Sequence, residues 1–125
     1  MSNNKYDIHE RIFQFIVKVI KFVNTLPKTP SNQVIIYQIL KSVTSMGAND
    51  QEADGSPTRK EFVHRFGIVR KEGKETNYWL RLTSATNSGK QKRAEELQNE
   101  GREIVAIVSK IISNTNKTSF QKKNS

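Results

Sequence analysis

The chain has 125 residues, enough for one domain with a modest core. It has no cysteine and only two histidines, His9 and His64, which excludes disulfides, thiol chemistry and cysteine-ligated metals, and no apolar run approaches the roughly 20 residues that span a bilayer. The net charge of +9 is lopsided: residues 1–57 hold six basic against five acidic side chains and residues 58–125 fifteen against seven, a distribution that suits a polyanion such as RNA or DNA, with a solubilising surface as the alternative.

The opening segment, Met1-Ser-Asn-Asn-Lys-Tyr-Asp, lacks the charged and apolar regions of a signal peptide, so a cytoplasmic protein is expected. Asp7-Ile-His-Glu10 reads as a helix start, with an acidic N-cap and a glutamate able to reach back to it, and predicts a first helix over 7–25. Ile8, Ile12, Phe15, Val19 and Phe22 form one stripe, which Phe13, Val17 and Ile20 widen to an arc of roughly 200°. Such an arc predicts either a central place in a bundle or cover by another subunit. Leu26-Pro27-Lys-Thr-Pro30 ends the helix, since each proline removes an amide donor and restricts its predecessor.

A second helix is expected over 31–53, with Ile36, Ile39, Leu40, Val43 and Met46 facing the core. Gln38, Ser45, Asn49 and Glu52 line the opposite side, with Ser42 at its edge. This polar stripe is either an exposed face or a packed, hydrogen-bonded surface where helices or subunits meet.

After the turn Asp54-Gly-Ser-Pro57, the capping signature Thr58-Arg-Lys-Glu61 opens a third helix over 58–83. Phe62, Phe66, Val69, Gly73, Thr76 and Leu80 share its core face. Around 100° away, Arg59, Arg70 and Arg81 recur every eleven residues and drift only about 20° per repeat; Lys74 joins them, with Lys60 and Lys71 at the edge of this basic ridge. A third face mixes Ile68, Trp79 and Leu82 with His64, Glu72 and Glu75, a combination that predicts an interface. The loop from Thr83 to Gly89 leads to a fourth helix over 90–113, opened by Lys90, Lys92 and Arg93, and residues 114–125 are expected to be a flexible basic tail. Residues 1–113 thus predict an all-α, up-down antiparallel four-helix bundle.

The run from Gln38 through Ser42, Ser45 and Asn49, the Lys60-Glu-Phe62 step, and Glu72-Gly-Lys-Glu75-Thr-Asn-Tyr78-Trp79-Leu80, following a Phe-rich first helix and Leu26-Pro27, together resemble the bundle proteins encoded within 23S ribosomal RNA intervening sequences. Lys41, Asp50-Gln51 and Gly73 depart from the usual pattern without removing the motif. The resemblance covers about residues 6 to 112 and implies a ring-shaped homo-oligomer, a homopentamer. It also implies kinship with the accessory variability determinant of diversity-generating retroelements, which binds RNA and a reverse transcriptase. Ser42, Ser45, Asn49 and Glu52 match the family's first polar motif, and Glu72, Glu75, Thr76, Tyr78 and Trp79 its second.

Glu52, Glu72 and Glu75 could form an acid-base or di-metal cluster, but none of them is followed three residues on by a histidine, as ferritin-like sites require. A structural role is expected for them, hydrogen-bonded to Ser45, Asn49, Tyr78 or basic neighbours, with no catalysis, no metal and no cofactor. The expected function is binding of nucleic acid, RNA in preference to DNA, through Arg59, Lys60, Arg70, Lys71, Lys74, Arg81, Lys90, Lys92 and Arg93. The alternative is a scaffold for an acidic or reverse-transcriptase-like protein.

Overall fold

A computed structural model describes residues 7–123, with side chains as far as Lys117; residues 1–6 of the expected domain and 124–125 of the expected tail lie outside the described residues. Four helices, α1 (Ile8–Val23), α2 (Pro30–Asp54), α3 (Arg59–Thr86) and α4 (Gln91–Lys123), make an all-α architecture without a strand among the described residues. Side-chain caps place their starts. Asp7 accepts from the amides of His9 and Glu10, Thr29 from Asn32 and Thr58 from Glu61, each cap worth about 1 kcal/mol. Pro30 begins α2, one residue earlier than expected, because the first helical position needs no amide donor. The reciprocal half of each expected capping box is absent: Glu10 accepts from Gln14 at 2.9 Å and Glu61 from Arg65 at 3.2 Å.

Each helix meets two others, in the cyclic order α1, α2, α3, α4, and all four seams are antiparallel. His9 lies against Asp50 and Ile16 against Gly47 on the first seam; Asn49 meets Arg65, and Ser42 meets Thr76, on the second. Asn77 meets Gln98 and Gly73 meets Val105 on the third, while Arg11 reaches Glu100 across the fourth. On the third seam Gly101 permits a close approach, for a Cβ there would collide with the Asn77 amide. Gly89, at φ 83°, supplies the left-handed residue of the α3–α4 turn.

The core is one apolar cluster drawn from all four helices, including Ile12, Phe15, Ile39, Met46, Phe66, Leu80, Leu97 and Ile104, and each such side chain contributes about 1.5–3 kcal/mol on burial. On α3 the expected core face holds, except that Phe62 is half-buried. On α2 it is turned by about one position. Ile35 is buried whereas Ile36 and Leu40 are half-buried, because Ser42 and Asp50, both polar, occupy inward positions where they find partners.

The fourth helix corrects the expected tail. It does not stop near residue 113 but continues to Lys123. The antiparallel register of Asn77 with Gln98 and Gly73 with Val105 carries the first turns of α3 alongside α4 beyond Ser113, so the long third helix supports the extension. Ile112 is buried there, and the Thr115 hydroxyl donates to the Ile111 carbonyl at 2.8 Å.

Candidate nucleic-acid interface

The two polar clusters lie along the α2–α3 seam. The Ser42 and Thr76 hydroxyls are buried 2.8 Å apart, so one donates to the other and the remaining proton goes back to its own helix, at the Ile39 or the Glu72 carbonyl. Asn49 donates to the Ser45 carbonyl at 2.9 Å and accepts from Arg65 at 3.1 Å. Glu52, Glu72 and Glu75 do not join this network: among the described residues their carboxylates have no hydrogen-bond or ion-pair partner, and Asn49 is taken by Arg65 instead. Tyr78 meets Trp79 edge-on at 4.9 Å and is 56% exposed, while the Trp79 indole nitrogen is buried without a partner among the described residues. Glu61-Phe-Val-His64 has the spacing of a bundle metal motif, yet Glu61 is engaged by Arg65 and His64 is exposed. No group of three or more potential ligands gathers among the described residues.

The basic ridge lies toward α4, on the other side of the core face. Arg59, Lys60, Lys71, Lys74 and Arg81 are exposed and Arg70 is half-buried, and none has an acidic partner among the described residues. Of the α4 cluster, Lys92 is exposed and has no partner among the described residues, Arg93 pairs with Glu96 at 3.1 Å, and Lys90 donates to the Thr25 hydroxyl at 3.2 Å. Arg81 also lines a groove of about 640 Å³ between α3 and α4, facing Gln98 and Arg102. Neither of those α4 residues stands out in the sequence; their spacing of four, beside the buried Leu97 and Gly101, is the signal that was there to read.

The acids that do form pairs are spent elsewhere. Arg11 forks onto Glu100 with two bonds of 2.8 Å and reaches Glu103 at 2.7 Å. These hydrogen bonds raise the Arg11 guanidinium further above its ordinary value, and the bond from Arg11 holds the Glu100 carboxyl below the usual range. On the first seam, His9 lies 2.7 Å from Asp50 and 3.3 Å from Asp54. Burial pushes the Asp50 carboxyl up, against the lowering effect of the His9 hydrogen bond. Asp50 follows Met46 and Val43 at helical spacing, which places it inward, but its charge conceals that.

Fold and site together define a basic four-helix bundle with a polar seam on one side of its third helix and uncompensated cations on the other. The family model for the 23S rRNA-intervening sequence protein matches residues 4–110, and the chain belongs to that family. Among solved structures it is similar to a protein of unknown function from the S23 ribosomal protein family of Bacteroides thetaiotaomicron, at 31% identity and a TM-score of 0.77, over 85% of this chain and 95% of that one. No curated protein matches the sequence. No helix of the described residues is long and apolar enough to cross a membrane.

Proposed function

We propose that the protein is a non-enzymatic, homo-oligomeric bundle that binds RNA. The observation that carries this reading is the ridge of Arg59, Arg70, Lys74 and Arg81 on α3, without acidic partners among the described residues, while Glu61, Glu96, Glu100 and Glu103 pair with other cations. Phosphate binding draws on accumulated cations and releases their counterions, so unpaired lysines and arginines on one face are its electrostatic footprint. The family's name, which refers to a sequence within 23S rRNA, supports RNA as the polyanion. Association with further copies, a pentamer by the family resemblance, covers the apolar α1–α2 face, where Phe13 is 57% exposed and rims a groove of about 430 Å³.

The test is affinity against salt. RNA binding should weaken linearly on a logarithmic scale, and neutralising Arg70, Lys74 or Arg81 should each reduce the slope by about 1, across sequences. Salt-insensitive or absent binding rejects the reading. The exposed aromatics Phe13 and Tyr37 favour a second reading, a scaffold for a protein partner such as a reverse transcriptase, which retention of that partner after nuclease treatment would support.

A further inference from the structure

The groove between α3 and α4 is not a uniform basic surface. Arg81 and Arg102 face it from opposite helices. Arg81 has no partner among the described residues, and Arg102 donates only to the neutral Asn99 side chain, so neither guanidinium is held in an ion pair, although the Glu95 carboxylate lines the same groove. Between them Gln98 is 7% exposed and lines the groove, and among the described residues its side-chain amide makes no hydrogen bond, while its backbone carbonyl accepts from Asn77. The amide opens onto the groove, where water meets it in the free protein and a ligand offering the same hydrogen bonds can take the water's place. Glu95, also facing the groove, is an acceptor at the same site.

Arg81 and Ala85 also wall a second hollow, of about 240 Å³, with Tyr78 and Leu82. The two hollows therefore adjoin, and the exposed Tyr78 ring stands one helical turn from the arginine that joins them. An aromatic face beside a guanidinium pair and an unpaired amide is the equipment of a single-strand site: the ring stacks a base, the cations hold the phosphate, and the amide reads a base edge or sugar. A duplex offers its phosphates but keeps its bases stacked on each other.

We infer that this groove seats an unpaired segment of bound RNA, with a phosphate between Arg81 and Arg102, a nucleotide edge on the Gln98 amide, and the neighbouring base on Tyr78. Glu95 accepts from a ribose 2′-hydroxyl or an exocyclic amine. The inference rests on the polyanion reading above and adds to it a preference for unpaired strands. A smooth ridge of cations would not produce that preference.

The experiment compares a short unstructured RNA strand with the blunt duplex of the same sequence by fluorescence anisotropy. Tyr78→Leu, Arg102→Gln and the isosteric Gln98→Glu are tested beside Arg59→Gln, which alters the ridge away from the groove. Each groove variant should lose about tenfold in affinity for the single strand and much less for the duplex, whereas Arg59→Gln weakens both alike. Tyr78 and Arg102 are exposed, so their variants decide the outcome even if Gln98→Glu does not fold. Groove variants that bind like wild type, or that weaken both forms equally, overturn the groove and leave the ridge standing. Wild-type protein that binds neither form overturns both. A protein partner retained after nuclease treatment only when Gln98 and Arg102 are intact assigns the groove to that partner and overturns the inference.

Discussion

Asn32 and Asn87 exchange both of their amides: Asn32 donates to the Asn87 side-chain oxygen at 2.7 Å, and Asn87 donates back at 3.1 Å. Asn32 also donates to the Pro27 carbonyl and Asn87 to that of Thr83, so the pair fastens the α1–α2 loop to the end of α3. Both residues are buried, and removing one leaves the other's side-chain oxygen without a donor. Asn87→Leu is expected to cost about 1–3 kcal/mol, and the double variant Asn32→Leu with Asn87→Leu less than the sum of the singles. Denaturant unfolding of the four proteins measures this coupling, and strictly additive losses would refute it.

Gly101→Ala should destabilise through the third seam. The added methyl meets the Asn77 amide, which is half-buried and held by the Gln98 carbonyl at 3.2 Å, so amide and helix must shift together. Overpacking of this kind costs about 1–3 kcal/mol. Thermal unfolding reads it, and Asn77→Ala in the same chain should recover part of the loss by removing the collision.

Glu100→Gln is expected to lower stability at neutral pH by about 1 kcal/mol, since the pair with Arg11 is partly exposed and Glu103 remains. The folded-state carboxyl of Glu100 lies below its ordinary 4.5, so its contribution is complete above that value and is lost as pH falls through the folded one. Urea titrations should therefore show wild type and variant converging in acid. A gap that stays constant down to pH 3 would count against the pairing.

Asp50 has the opposite sign. Burial raises its carboxyl above the ordinary 3.8, so between that value and the folded one the native state keeps a proton that the unfolded chain has released. Stability then falls as pH rises through this window. Asp50→Asn, which preserves an oxygen for His9, should lack the fall. Parallel stability curves from pH 4 to 7 would show that the buried carboxyl carries no such linkage.

The elements and the third helix's faces could be read from sequence because α3 repeats one apolar period over its whole length, and its ridge falls at a spacing that a helix preserves. What escaped were contacts decided by a partner helix. Asp50 was hidden by its charge, and its burial depends on His9, forty-one positions away. Glu72 and Glu75 do not meet Asn49 because the antiparallel register sets Thr76 beside Ser42 and brings Arg65, one turn after Glu61, to Asn49. The last turns of α4 look polar in isolation, and only the length of α3 explains why they are helical.

The shortest helix, α1, has 16 residues against 33 in α4, and its two seams are thinner than the two that flank α3. Local opening should begin there. Amide hydrogens between Ile12 and Val19 are expected to exchange with solvent by the lifting of α1 alone, while those between Phe66 and Leu80 wait for global unfolding. Lifting bares Phe15 and Phe22 together with the inner sides of α2 and α4, which makes α1 the segment that two chains can trade in a domain swap.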